Sequence, residues 1–176
     1  MLGHRILVLG CPGSGKTTLA VKLGTLSGLP VVHLDKLFWK PGWVQSPREE
    51  FYAALLLELQ KDAWIMDGNF NSSISRRLEY CDMVIYFDYP RLVCIWGVLT
   101  RVLKAYGRTR PDMGEGCPEH FDRDFIKLIW NFEKTQGTKN KELVKNSAKP
   151  VIWLRSRREV RRFLEEASEK IVNNGY

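Results

Sequence analysis

The stretch Gly10-Cys11-Pro12-Gly13-Ser14-Gly15-Lys16-Thr17 fits the pattern G-x-x-x-x-G-K-[ST], and its flanks decide the fold class. Upstream, Ile6-Leu7-Val8-Leu9 is a short apolar run of strand type. Downstream, the residues from Thr17 onward read as a helix with Leu19, Leu23 and Leu26 on one face. Strand, glycine-rich turn and helix in that order make a phosphate-binding loop. Glycines let the backbone curl so that successive N–H groups face inward as an anion nest. The following helix aims its positive dipole end at the same point. Gly10, Pro12, Gly13, Ser14, Gly15 and Thr18 would then surround the phosphates of a nucleoside triphosphate, ATP in the first instance. Lys16 would reach the β- and γ-phosphates, and the Thr17 hydroxyl would hold Mg²⁺. With glycine at about 7% of residues, a chance match in a chain of this length is roughly a one-in-a-hundred event, and the flanks lower it further.

Working outward, the 176 residues suit a single domain over 1–176 with a substantial core. Hydrophobic content of 44% and charged content of 27% are those of an ordinary soluble protein. No stretch approaches the roughly 18 apolar residues of a membrane span, so no membrane partner is expected. The apolar run near Met1 is too short for a secretion signal, which makes the cytoplasm the expected address. Cys11, Cys81, Cys94 and Cys117 are widely spaced and read as reduced thiols. Cys117 and His120 form a lone C-x-x-H without a second pair, so no zinc site follows. The net charge of +7 suits an anionic partner, and nucleotide phosphates satisfy it as well as nucleic acid does.

Five apolar runs recur: Ile6–Leu9, Val31–Leu34, Ala63–Met66, Met83–Phe87 and Val151–Leu154. They lack period-two alternation, as strands buried on both faces of a parallel sheet do. Helical segments separate them, which predicts an α/β fold with right-handed crossovers. The residues just beyond the runs are Gly10, Asp35, Asp67, Asp88 and Arg155. Ligands bind outside the carboxyl ends of such strands, so these side chains should ring the phosphate loop. Asp88, before Tyr89-Pro90, reads instead as a cap for the next helix.

Asp67 ends the apolar strand Trp64-Ile65-Met66, the layout of a Walker B carboxylate that orients Mg²⁺ directly or through water. Asp35 belongs to a loop rich in aromatic and polar residues, His33 to Trp43, in which Phe38, Trp39 and Trp43 either line a second-substrate pocket or cover the core. Ser46-Pro47-Arg48-Glu49 reads as a capping box ahead of a helix burying Phe51, Leu55 and Leu59. Asn71 or Ser72 should cap a helix carrying Arg76 and Arg77. Phe121, Phe125, Leu128, Ile129 and Phe132 read as one amphipathic helix, and Ser156-x-x-Glu159 as a second capping box. Arg101, Arg108 and Arg110 lie in a polar, Gly- and Pro-containing segment with the composition of a mobile lid that brings guanidinium groups onto phosphates. Arg155 and Arg157 belong to a second basic cluster, in which Arg157 and Arg158 would occupy a first helical turn, and cations accepted there suggest an anion or a base to contact.

At this level the chain resembles the FlaR-type DNA topology modulation proteins, small P-loop proteins related to adenylate kinase. The matching stretches are Gly10–Thr18, Leu34–Trp43, Trp64–Phe70, Arg77-Leu78, Arg110–Glu119 and Leu154–Arg158. The resemblance implies an adenylate-kinase-like, five-stranded parallel sheet flanked by helices, with a substrate-binding insert over 36–61 and a lid over 101–120. Asp67-Gly68 is similar to the D-G-F-P-R element of adenylate kinases, but Asn69-Phe70-Asn71 follows and the arginine is missing. Arg77, inside a matching stretch, is the better candidate to replace it as a substrate ligand than Arg76.

The expected activity is ATP- and Mg²⁺-dependent phosphoryl transfer to a small acceptor of nucleotide or nucleoside type. Lys16 would hold phosphates, Thr17 and Asp67 the metal, and Arg101, Arg108 and Arg110 the developing charge. Asp35 would position the acceptor or draw off its proton. The alternative is a nucleic-acid-associated NTPase modulating DNA topology, with the arginine clusters on DNA phosphates; no recognisable DNA-binding motif supports it.

Overall fold

Strands that read as apolar on both faces need cover on both faces, and the chain provides it with two helical layers. The computed structural model describes residues 3–174. Strands β1 (Arg5–Gly10), β2 (Val31–His33), β5 (Trp64–Asp67), β6 (Met83–Phe87) and β7 (Val151–Leu154) pair in the order β2-β5-β1-β6-β7, all parallel. A small antiparallel hairpin, β3 (Trp39–Lys40) with β4 (Val44–Gln45), lies apart from that sheet. The five apolar runs are thus the five sheet strands, with ends shifted by a residue: Leu34 leaves the sheet and Ala63 precedes it.

Side chains alternate across the pleat, so Leu7 and Leu9 enter one core and Ile6 and Val8 the other. The first core lies under α2 (Leu34–Phe38), α3 (Arg48–Leu59), α4 (Ile74–Tyr80) and α7 (Thr138–Asn146), with Leu34, Phe51, Leu55, Leu59, Ile74, Leu78 and Val144 buried in it. The second lies under α1 (Lys16–Ser27) and α8 (Arg157–Asn174), which contribute Leu19, Ala20, Leu23, Phe163 and Ala167. A third cluster joins α5 (Arg91–Ala105) and α6 (Arg123–Phe132) over Cys11 through Cys94, Val98, Val102, Ile129 and Phe132. Among the described residues no helix is long and apolar enough to cross a membrane.

Several local expectations are corrected by tertiary contacts. Leu26 faces outward, and Ala20 takes its place beside Leu19 and Leu23. Phe121 is 51% exposed and precedes α6, whose cap is Asp122, accepting from the N–H groups of Asp124 and Phe125. The Ser46 hydroxyl donates to the Leu37 carbonyl at 3.0 Å instead of capping α3, which starts after Pro47 without a side-chain cap. Asp88 caps nothing: its carboxylate pairs with Lys141 at 2.6 Å and Arg155 at 3.7 Å. The second box does close, with Glu159 N–H donating to Ser156 Oγ and Arg155 N–H to the Glu159 carboxylate.

The order places β1 at the centre, with earlier crossovers going to one side and later ones to the other. Such a switch point opens a crevice at the carboxyl edge, where the loop after β1 begins.

Candidate active site

The loop from Gly10 to Gly15 feeds α1, whose N-cap Gly15 has φ 98° and whose first turn holds neither a side-chain cap nor an acidic residue. Its early N–H groups are left for an external anion. Lys16 is only 8% exposed and donates from Nζ to the Cys11 carbonyl at 2.9 Å. Burial lowers its pKa, with the Asp67 carboxylate working against that shift. An arriving phosphate would restore what burial takes away.

Close packing sets the loop in place. Gly13 has φ 80°, and a Cβ there would sit 2.2 Å from the Cys94 carbonyl oxygen. Across the contact, a Cβ on Gly97 of α5 would sit 2.0 Å from the Gly13 carbonyl oxygen. Helix propensity alone would favour alanine at position 97 by about 1 kcal/mol. The contact dominates, so Gly97→Ala is expected to lose about 1–3 kcal/mol of stability in urea titrations and to weaken nucleotide binding. A variant as stable as its parent would contradict the packing.

Thr17 Oγ1 donates to Asp67 Oδ2 at 2.5 Å, and His33 Nδ1 lies 3.5 Å from the same oxygen. The other carboxylate oxygen, Asp67 Oδ1, is buried without a hydrogen-bond partner, as is Ser14 Oγ. Asp35 sits in α2, one residue into the helix and not at a strand tip, and is half-buried. Burial, then the charge of Asp67, pushes its pKa up to about 6, while Arg110 and Lys16 oppose the rise.

From the other side come Arg101, near the end of α5, and Arg110, in the segment that follows. Both meet Glu119, which is 4% exposed. Arg101 donates to Glu119 Oε1 from Nη2 at 2.9 Å and from Nε at 3.2 Å. Arg110 Nε lies 2.7 Å from Glu119 Oε2 without hydrogen-bond alignment, and its Nη1 donates to Asp112 Oδ2 at 2.5 Å. Burial lowers the pKa of Arg101, with Arg110 adding to the effect and Glu119 resisting it.

One cleft of about 550 Å³ gathers Pro12, Gly13, Gly15, Lys16, Thr17, Thr18, Asp35, Trp39, Asp67, Arg101 and Arg110. Gly68, Asn69, Phe70, Gly97, Asp112, Phe125, Leu128 and Gln136, none of them read from the sequence as a site residue and Phe125 and Leu128 read as core, complete it. Asp112 and Glu119 lie inside the Arg110–Glu119 stretch, but nothing local marked them as partners of arginines. Gly10 closes β1, and its N–H donates to Asn69 Oδ1 at 3.2 Å; Ser14 is buried beneath the loop.

Other candidates fall elsewhere. Arg77 is fully buried and donates to the carbonyls of Gly68 at 2.7 Å, of Asn69, and of Phe70 at 3.4 Å, so it braces the loop after β5 and does not line the cleft. Arg108 is exposed and enters through its backbone alone, accepting from Glu119 N–H at 3.0 Å. Phe38 packs on Trp39, Phe51 and Phe70 behind the cleft wall. Trp43 meets Trp39 and His120 edge to face and donates from Nε1 to the Pro118 carbonyl at 3.0 Å.

That last bond is one of three that tie the hairpin to the 101–120 segment. Gly42 N–H donates to the Gly116 carbonyl at 2.8 Å, and Cys117 Sγ donates to the Lys40 carbonyl at 3.2 Å. Arg155 and Arg157 border a separate recess of about 510 Å³ beside Tyr89, Pro90, Leu92, Val93 and Trp96. It shares helix α5 with the main cleft, where Gly97 follows Trp96.

Sheet order, phosphate-type loop and flanking helices together define the fold of the P-loop kinases. The chain is similar to shikimate kinase from Acinetobacter baumannii in complex with shikimate, at 18% identity over 97% of this chain and 94% of that one, with a TM-score of 0.57. It is similar also to shikimate kinase from Bacteroides thetaiotaomicron, at 14% identity, 97% and 99% coverage and a TM-score of 0.59. A gluconokinase from Sinorhizobium meliloti 1021 aligns at 13% identity over 98% of this chain and 97% of that one, with a TM-score of 0.53. At such identities the likeness establishes the fold. No family model matches the chain, and no curated protein matches it.

Proposed function

We propose that this chain is an ATP-dependent kinase transferring the γ-phosphoryl group to a hydroxyl of a small molecule. One observation carries the reading: an anion nest with its lysine, the Thr17–Asp67 pair, the Asp35 carboxylate and two arginines all face one cleft. Phosphoryl transfer depends mainly on placement and electrostatics, and that is what these groups offer.

Mg²⁺ fits the donors present. Thr17 Oγ1 and Asp67 are hard oxygen ligands, and the orphaned Asp67 Oδ1 is an acceptor that a hydrated cation would satisfy. When bound, the ion neutralises phosphate charge. Lys16 and the loop amides hold the phosphates, Asp35 takes the proton of the acceptor hydroxyl, and Arg101 and Arg110 donate to the phosphoryl oxygens. The recess beside Trp96 suits the nucleoside end of ATP, with Arg155 and Arg157 at its rim. Residues 36–61 and 101–120, tied through the hairpin, serve as insert and lid of one clamp. The FlaR-type stretches Leu34–Trp43, Trp64–Phe70 and Arg110–Glu119 wall or brace the cleft, so we read them as acceptor machinery and not as DNA contacts.

An acceptor screen that follows ADP release, with and without duplex DNA, tests this. A hydroxyl acceptor that raises ADP release supports it; stimulation by DNA alone, with no acceptor phosphorylated, refutes it.

Asp35 adds a pH test. With its folded pKa near 6 the carboxylate is ionised at neutral pH, and kcat/KM should fall as the pH drops through 6. Its folded pKa lies above the ordinary 3.8, so protonation stabilises the fold; that contribution is full below 3.8 and lost as the pH rises through 6. Asp35→Asn should therefore raise the Tm at pH 7 while abolishing the acid limb of the activity profile. The gain in Tm should shrink as the pH falls from 6 toward 4. A pH-independent change in Tm would contradict the assignment.

A further inference from the structure

The side of the cleft formed by α5 and the segment after it holds two arginines but little net positive charge. Glu119 takes both guanidinium groups, and Asp112 takes Arg110 a second time. Glu119 is fixed at both ends: its carboxylate is buried between the two arginines, its N–H donates to the Arg108 carbonyl at 3.0 Å, and its own carbonyl accepts from Gly107 N–H at 2.9 Å. Among the described residues lining the cleft, the other charges are Lys16, committed to the phosphate loop, and the carboxylates Asp35 and Asp67.

Each guanidinium is thus matched by a carboxylate. A paired arginine keeps free N–H donors for a phosphoryl group in transit, because it carries five. A permanently anionic acceptor is in a different position. It would meet Asp112 and Asp35, which line the cleft, beside guanidinium groups whose charge the buried Glu119 already balances, and like-charge juxtaposition is costly. Trp39, Phe70 and Phe125 add flat apolar surface to the same region, with the Arg101 guanidinium 5.7 Å from the Phe125 ring centroid. Resting on the kinase reading above, we propose that Glu119 determines the acceptor class. By neutralising Arg101 and Arg110 it selects an uncharged hydroxyl compound with a flat or apolar face, of nucleoside type, over one bearing a phosphate or carboxylate.

Matched probe pairs test this by calorimetry on the full chain with Mg²⁺ and a non-hydrolysable ATP analogue: adenosine against AMP, thymidine against its 5′-monophosphate, glucose against gluconate. The parent protein should bind an uncharged member at least about tenfold more tightly than its anionic partner. Glu119→Gln, which keeps the shape and removes the charge, should shift that ratio toward the anion by about tenfold or more. Asp112→Asn, on the less buried arm of the network, should shift it the same way by less and stands in if the first variant does not fold. A purely structural role for Glu119 would weaken both members alike and leave the ratio unmoved. The proposal is overturned if the parent prefers the anionic members, binds no uncharged one, or gives the same ratio in both variants. Failure of the kinase reading shows separately, as absence of any binding heat from the ATP analogue.

Discussion

Lys16→Met is expected to lower turnover by about a hundredfold or more while leaving the fold intact. The ammonium group lies 2.9 Å from the Cys11 carbonyl, inside the curl of the loop where phosphates would be held. Its charge is disfavoured by burial, a cost that Asp67 offsets in part and that an anionic ligand would offset further. Methionine keeps most of the volume and removes the charge. Its Tm should accordingly be unchanged or higher, and ATP binding by calorimetry should weaken markedly. Unchanged turnover, measured with an acceptor found in the screen, would remove Lys16 from the mechanism.

Arg77→Met should cost the largest amount of stability of any single change considered, about 2–4 kcal/mol in urea unfolding. The guanidinium is 0% exposed and serves three consecutive carbonyls, those of Gly68, Asn69 and Phe70. Hydrogen bonds to a charged donor contribute about 1.5–3 kcal/mol each, and the stranded carbonyls could not all find water. The braced loop lines the cleft, so a rise in the acceptor KM should accompany the loss of stability. A variant of parental stability with a raised KM alone would instead restore Arg77 as a substrate ligand.

Arg77 also shows where reading the chain in order runs out. Its place in a family-like stretch suggested a ligand, yet its environment is made by residues seven to nine positions away, folded back over it. Trp43 and Arg108 went the same way, the former pinned to Pro118, the latter exposed. Ser46 and Asp88 had the right neighbours for capping, but the Leu37 carbonyl and Lys141 offered partners that no local pattern reveals.

The sequence by itself determined the strands, the phosphate-type loop and the helix behind it, because each follows from residues in immediate succession: apolar runs, glycines at fixed offsets, a capping box at Ser156 and Glu159. Only the tertiary structure decided which charges share the cleft. Asp67 was expected beside Thr17 from its place at a strand tip, but nothing in the chain announced that Glu119 meets Arg101 across eighteen positions and Arg110 across nine. Those pairings depend on strand order and on the path of α5 over the loop. They are polar and ionic contacts between distant segments, and such contacts leave no periodicity in the chain that carries them.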